Sequence, residues 1–367
     1  MKILWLTWKD REHPQAGGAE VVNEQLAAHL AAAGHEVKFV VGGFAGAVPT
    51  AHRQAFNIIR LGNRYTVYLA AWRYYRRHLK DWPDIIIDEV NTVPFFARFY
   101  TRGPVVMFFH MLCREIWFYQ MVFPLSLIGY LAEPLYLRLL RGLPVIAVSE
   151  STRRDLVRHG FRKDGISVIS EGIELEPIAD PSRVAKAPEL TVAAFGAIRS
   201  MKRTLHQLRA FELAKRDLPG LKLVIAGAPE GRYGRRVARA VARSPYRPDI
   251  TVSGRVTEEQ KLELLRSSHA ILVTAVKEGW GLTVTEAASQ GTPAVVYDVD
   301  GLRDSVRSGV TGLVTPATPA ALAAGLVTLL RDPAYYTRVQ TAAWEWSREI
   351  TFDQCYSDFM KAIANVV

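Results

Sequence analysis

Short apolar runs alternate along this chain with stretches in which apolar positions recur every three or four residues. Residues 2–7 read as a buried strand, 19–33 carry Val22, Leu26, Leu30 and Ala33 on one helical face, Gly34 ends that helix, and 36–41 form a second strand. The same alternation gives strands at 84–88, 104–110, 144–149 and 166–173. It resumes at 190–195, 221–226, 250–252 and 270–273, with helices at 232–243, 258–266 and 320–330. Strands that alternate with helices, and are apolar throughout rather than on one side, predict parallel sheets covered on both faces. Residues 176–188 collect prolines and little periodicity, which reads as a linker. The expectation is an α/β chain of two doubly wound domains, 1–178 and 179–349, with 350–367 as a closing helical segment.

Three stretches depart from plain strand-and-helix filler. The connection at 9–18 is long for a βα loop and closes on Gly17-Gly18, whose lack of side chains would let a phosphate approach the backbone; taken alone it is equally a plain turn. Residues 65–82 set Tyr68, Trp72, Tyr75, Leu79 and Trp82 beside Arg73, Arg76, Arg77 and Lys80. Such a helix can lie on an anionic membrane. The strand pattern that follows it favours a crossover helix packed on a sheet. Residues 111–140, with Trp117, Phe118, Tyr119, Phe123, Tyr130 and Tyr136, are too apolar for a solvated loop and predict core or a surface that meets lipid or a partner.

Composition narrows the class. With 367 residues, 49% hydrophobic and 22% charged, the chain has the balance of a globular protein of two domains. A net charge of +10 implies an anionic partner: a nucleotide, an acidic lipid or nucleic acid. No zinc-finger, basic-zipper or RNP pattern supports nucleic acid. Cys113 and Cys355 stand in no metal or redox spacing, which suits a reducing cytoplasm, and neither a leader nor a transmembrane stretch is expected.

The most informative stretch is Lys277-Glu278-Gly279-Trp280-Gly281-Leu282-Thr283-Val284-Thr285-Glu286, which Gly291 closes before the strand at 294–297. Glu278 falls in a glycine-containing turn and Glu286 inside the helix that follows. Unpaired N–H groups at such a helix start favour an anion. Carboxylates on either side of it accept hydrogen bonds from hydroxyls. A diphosphate between two polyols is a nucleotide sugar.

Glutamate, seven residues, glutamate resembles the signature of the retaining GT-B glycosyltransferases of family four, and the resemblance runs along nearly the whole chain. It implies two Rossmann-like domains facing across a cleft, the first handling the acceptor and the second the donor, with the last helix crossing back to the first. It implies that Glu278 contacts donor-sugar hydroxyls, Glu286 holds the ribose, and Gly279, Trp280, Gly281, Leu282 and Thr283 complete the donor site. Gly17 and Gly18 would meet the diphosphate and His110, at a strand end, the sugar. Lys202 falls on the family's diphosphate lysine, whereas Ala197 occupies the family arginine's place and Arg199 lies two residues on. Glu171 stands where an Asn is common. A metal is not expected: Asp298-Val299-Asp300 follows a strand, where alternate side chains point apart. Nor is a cofactor, the nucleoside-diphosphate sugar of UDP or GDP type being the substrate. The activity implied is sugar transfer with retention, His110, Lys202 and Glu278 being catalytic, by front-side displacement inside a site that closes about the linker. The acceptor is expected to be a lipid-linked or surface-polysaccharide precursor, reached by a peripheral protein at the cytoplasmic face of the membrane. Alternatives are a small soluble acceptor, a nucleotide-sugar 2-epimerase and a non-catalytic nucleotide-sugar binder.

Overall fold

The computed structural model describes residues 1–53, 56–364 and 366. The chain forms two compact units, Met1–Gly172 with Thr351–Val367, and Ile173–Ile350.

In the first unit the elements run β1 (Lys2–Leu6), α1 (Gly18–Ala32), β2 (Glu36–Gly42), β3 (Thr50–Arg53), β4 (Phe56–Leu61), α2 (Val67–Tyr74), β5 (Ile85–Val90), β6 (Val105–Phe109), α3 (Trp117–Gln120), α4 (Leu125–Leu140), β7 (Val145–Ala147), α5 (Glu150–Arg158) and β8 (Ile166–Val168). Among the described residues they make a sheet in the order β3-β4-β2-β1-β5-β6-β7-β8, parallel except for β3, which pairs antiparallel with β4. Register is set by the apolar cores of the strands: Leu6 lies opposite Val40 on one side and Asp88 on the other. The chain therefore leaves β1 toward one edge, returns, and leaves toward the other from β5. The point where the winding reverses lies between β1 and β5.

The second unit runs β9 (Thr191–Phe195), α6 (Thr204–Ala214), β10 (Lys222–Ala226), α7 (Gly231–Arg243), β11 (Ile250–Gly254), α8 (Glu258–Ser267), β12 (Ala270–Val273), α9 (Leu282–Ser289), β13 (Ala294–Tyr297), β14 (Gly312–Thr315), α10 (Pro319–Arg331) and α11 (Pro333–Ser347). Its sheet is parallel throughout, in the order β11-β10-β9-β12-β13-β14. This is the classic doubly wound order, and ligands in such sheets bind beyond the carboxyl ends of the strands where the winding reverses, here between β9 and β12. The last helix, α12 (Phe352–Ala364), belongs to the first unit, where Phe359 stacks on Trp5 at 5.6 Å and Cys355 and Ile363 are buried.

Several expectations change. The stretch 176–188 is packed rather than free: Trp344 Nε1 donates to the Ile178 carbonyl at 2.8 Å, Gln290 Nε2 to that of Glu176 at 2.9 Å, and Lys186 Nζ to the carbonyls of Arg266, Ser268 and Gly291. Burial without a carboxylate partner pushes the Lys186 ammonium down to about 7. The helix at 65–82 is α2 continued by a π-helical turn, Tyr75–Leu79; Tyr75 and Leu79 are buried, Tyr68 and Trp82 pack on the core, and Tyr65 and Leu69 are exposed. The segment 111–140 divides. Trp117 and Tyr136 are core, while Phe118, Val122, Phe123 and much of α4 face outward. Cys113 and Cys355 are both buried and not joined in a disulfide, and no helix of the described residues is long and apolar enough to cross a membrane.

Candidate functional site

In the second unit two loops leave the adjacent strands β9 and β12 and are stitched together. The Val276 N–H donates to the Met201 carbonyl at 2.8 Å, and Thr274 Oγ1 to the Lys202 carbonyl at 2.8 Å. The first loop carries Arg199 and a 3-10 turn, Ser200–Lys202. The second carries Glu278 and opens α9. Gly281 caps α9 at φ 99°, a left-handed conformation that a side chain would strain, and Gly291 follows its end at φ 73°. Gly301, at φ 80°, lies against the Glu278 carbonyl so closely that a Cβ there would collide with it, and the Glu278 N–H donates to the Asp300 carbonyl at 3.0 Å. Glu278 is thus held from behind by its own backbone.

The side chains gathered here alternate in sign. Lys202 Nζ pairs with the Glu278 carboxylate. Lys261 Nζ, from α8, donates to Glu286 Oε1 at 2.7 Å; burial pushes the Glu286 carboxyl up while Lys261 opposes it. Arg199 Nε, in the first loop, and Trp280 Nε1, just before α9 in the second, are buried with no hydrogen-bond partner. The N–H groups of Leu282 and Thr283 open that helix, where no intrahelical acceptor exists. Donors and the positive end of a helix suit a diphosphate; two carboxylates on either side suit hydroxyls. Asp298 and Asp300 do not point apart as expected, because β13 ends at Tyr297 and both lie in the turn beyond it: each is held by Arg303, at 2.7 and 2.5 Å, and Asp300 also lies 3.3 Å from Lys277 Nζ.

The first unit gathers polar groups at its own reversal point. Gly17 is the N-cap of α1, and its N–H donates to Glu20 Oε2 at 2.6 Å. Lys9 Nζ lies 3.2 Å from the same carboxylate. Asp10, Glu12 and Arg60 pin the rest of this long connection: Arg60, 5% exposed, reaches Asp10 and Glu12 at 2.6 Å each. His110 follows β6 and donates from Nδ1 to Glu171 at 3.1 Å, with Nε2 3.7 Å from Glu89. Glu89 in turn accepts from Trp5 Nε1, Asn23 Nδ2 and Asn91 Nδ2 at 2.8, 2.6 and 2.6 Å. Burial pulls the His110 imidazolium down, yet the Glu171 hydrogen bond and the charges of Glu89, Glu171 and Glu20 outweigh it and hold it above the ordinary range. Glu20 Oε1, Asn23 Oδ1 and His110 Nε2 are buried and unpartnered, three atoms for which a ligand hydroxyl would be a fitting partner.

The sequence motifs thus fall into two groups. Arg199, Lys202, Glu278, Gly279, Trp280, Gly281, Leu282, Thr283 and Glu286 come together in the second unit, and Gly17, Gly18 and His110 in the first. What the motifs missed are the partners: Lys261, Glu20, Asn23 and Glu89. Glu89 did leave a signal, as one of two adjacent acids, Asp88 and Glu89, in a strand whose other residues are apolar; Lys261 left none.

Two doubly wound sheets, each with its polar groups at the reversal of winding, define an α/β protein of the GT-B class. Residues 16–177 match the family model described as Glycosyltransferase Family 4, and 178–346 that described as Glycosyl transferases group 1. The chain belongs to the group 1 glycosyltransferases. It is 31% identical over 186 residues to D-inositol 3-phosphate glycosyltransferase of Nocardia farcinica, covering 46% of this chain and 40% of that one. To the enzyme so named from Mycolicibacterium smegmatis it is 28% identical over 225 residues, covering 56% and 50%. The chain spans about half the length of the curated relatives it matches. Among solved structures it resembles sucrose-phosphate synthase from Thermosynechococcus elongatus (TM-score 0.80, 19% identity, 99% and 98% of the two chains covered). It also resembles HepE of Anabaena in complex with UDP and glucose (0.74, 17%, 100% of both) and WaaG, a glycosyltransferase involved in lipopolysaccharide biosynthesis (0.73, 16%, 100% and 99%). At these identities the structural likeness establishes the fold.

Proposed function

We propose that the protein transfers a sugar from a nucleoside-diphosphate sugar to an acceptor hydroxyl, with retention at the anomeric carbon and without a metal ion. The observation that carries this reading is the start of α9, where two lysine-held carboxylates, Glu278 and Glu286, flank a helix N-terminus along the chain and the loop hydrogen-bonded to theirs carries Lys202 and the unpartnered Arg199 Nε. Glu278 accepts from sugar hydroxyls and Glu286 from the ribose. Lys202 and Arg199 take the diphosphate, whose negative charge grows as the bond from anomeric carbon to phosphate oxygen breaks. The bonding pair leaves with the diphosphate, the acceptor oxygen bonds to the same face of that carbon, and its proton passes to the departing phosphate oxygen. Lys202 and Arg199 supply the positive charge a metal would otherwise bring, and Asp298 and Asp300 are spent on Arg303. In the first unit, Gly17, Gly18 and His110 are the proposed ligand contacts.

The acceptor is proposed to be a lipid-linked or surface-polysaccharide precursor at the cytoplasmic face of a membrane, reached by peripheral attachment to anionic lipid. The inositol phosphate in the names of the matched relatives favours a small soluble acceptor as the second reading. Thermal unfolding with a panel of UDP and GDP sugars tests the donor assignment, since a ligand at ~100 times its Kd adds about 2.7 kcal/mol to stability. Turnover with EDTA present, followed by NMR of the product anomer, tests retention and metal independence. If no nucleotide sugar raises the melting temperature, the donor site is misassigned.

A further inference from the structure

The face of α4 that looks away from the core is as apolar as the face that is buried. Ser126, Gly129, Glu133, Tyr136, Leu137 and Leu140 turn inward. On the other side Ile128, Leu131, Leu135 and Leu139, spaced at three, four and four, are 58, 59, 68 and 58% exposed, and Val122 and Phe123 just before the helix are 75 and 78% exposed. A helix apolar all round belongs inside something, and nothing in this unit covers that ridge. Its charge is one-sided. Between 117 and 142 the single acid, Glu133, is 1% exposed and accepts the N–H groups of Cys113 and Arg114 and the Trp117 indole, so the outward charges are those of Arg138 and Arg141.

Beside the ridge lies a pocket of about 410 Å³ walled by Trp72, Arg76, Lys80, Phe99, Tyr100 and Arg102. The pocket lies by the C-terminal end of α4: Phe96 packs edge-on against Tyr136, on the inward side of the helix, at 6.2 Å and at a tilt against Phe99 of the pocket at 6.3 Å, and Arg98 lies close to Gly142 just past the helix end. The pocket holds three cations, of which Arg102 has a loose exposed pair with Asp81 at 3.5 Å. The Tyr100 hydroxyl is buried and has no hydrogen-bond partner.

We infer that the α4 ridge and this pocket form one docking face for an anionic phospholipid bilayer, the ridge entering the acyl boundary and Arg76, Lys80 and Arg102 taking headgroup phosphates. This deepens, and rests on, the membrane-attachment part of the reading above, and it names the surface. The helix at 65–82 contributes the cations of its exposed side, while its aromatic stripe is largely committed to the core. A second copy of the chain is the poorer occupant, because two such faces would bring arginines together with no exposed acid on the ridge to pair them. An anionic surface satisfies both the apolar row and the cations beside it.

Co-sedimentation tests this with vesicles of phosphatidylcholine alone or with about 30% phosphatidylglycerol. The full chain should pellet with the anionic vesicles at low salt and be released in about 1 M salt, where screening shortens to ~3 Å. Leu131→Gln/Leu135→Gln/Leu139→Gln should weaken anionic-vesicle binding about tenfold or more, because three exposed leucines no longer gain from burial. Arg76→Gln/Lys80→Gln should remove most of its salt sensitivity. Val252→Gln, at an exposed valine of the second unit, should bind as the parent does. The ridge variant keeps every residue of the donor site, so its thermal response to nucleotide sugars should be unchanged; a chain that docks but never responds to donors would sink the transferase reading and leave the docking face standing. Failure of the parent to pellet with anionic vesicles at low salt overturns the inference. So does a ridge variant that binds like the parent. Concentration-dependent dimers that the ridge variant abolishes, without vesicle binding, would instead make this a self-association face and overturn it equally.

Discussion

Glu278→Gln should separate two properties that a general loss of the site would move together. The Glu278 carboxylate holds Lys202, the cation proposed to receive the diphosphate, so the acid would compete with a diphosphate for it. Both side chains keep some solvent access, 28% for Lys202 and 16% for Glu278, and a pair of that kind is worth about 0.5–1 kcal/mol. Freeing Lys202 should therefore tighten a nucleoside diphosphate by about two- to fivefold. The sugar loses a charged acceptor, worth about 1.5–3 kcal/mol, so kcat/KM for the nucleotide sugar should fall about tenfold to a hundredfold or more. Lys202→Ala should instead weaken the diphosphate and cost about 3 kcal/mol of barrier. Titration calorimetry with UDP and GDP, beside turnover with their sugars, measures both effects. If Glu278→Gln weakens the bare diphosphate as much as Lys202→Ala does, the carboxylate is not a competitor for that lysine and the division of roles is wrong.

Arg199→Ala should lower turnover less than Lys202→Ala, since Arg199 lies two residues beyond the position the family pattern uses; greater damage at Arg199, read from kcat/KM, would mean the diphosphate is gripped chiefly there. Arg60→Ala leaves Asp10 buried without its cation and should destabilise the first unit by about 3–5 kcal/mol in urea unfolding; a loss under 1 kcal/mol would show that the 9–18 connection is held by other means. Asp88 is fully enclosed and accepts the N–H groups of Phe95 and Ala97 at 2.8 and 2.9 Å, and burial first of all pushes its carboxyl up to about 6. A carboxyl raised on folding favours the native state when protonated, so its contribution is present below the unfolded value near 4 and is lost as pH rises through 6. Stability relative to Asp88→Asn should fall by about 3 kcal/mol across that window. A difference that stays flat from pH 4 to 7 would refute this.

That both sheets are doubly wound was legible because most of their buried parallel strands are continuous apolar runs and because Gly34 and Gly291 stop helices where a left-handed residue is needed; β4 and β14 were not expected, β4 being interrupted by Asn57 and Arg60 and β14 being four residues long and opening on a glycine. β3, with its alternating half-exposed Thr-Ala-His-Arg, carried no such signal, since its place is fixed by pairing with β4. The turn-and-helix arrangement of the motif proposed for the donor was legible because turn, helix start and both acids are local in sequence. Its counter-charges were not, for Lys261 reaches Glu286 from another helix and only the tertiary fold brings them to 2.7 Å. The same holds for 176–188, where prolines signal the absence of helix or strand but say nothing of packing. Glu171, conspicuous in sequence only as an unusual residue, acquires a meaning once His110 is beside it.

The second unit is a single continuous segment, whereas the first is split, its final helix separated from the rest by the whole of Ile173–Ile350. On the ribosome this imposes an order. The indole of Trp5 is made before the second unit, yet the ring that stacks on it, Phe359, emerges only after the whole of that unit. The roughly 180 residues between Gly172 and Phe359 take roughly 10–40 s to synthesise at ~5–20 residues per second, and throughout that interval the nascent first unit presents an unroofed apolar floor. Unit two, being continuous, can close while unit one still lacks its last helix, so synthesis passes through a chain whose second unit is complete and whose first is not.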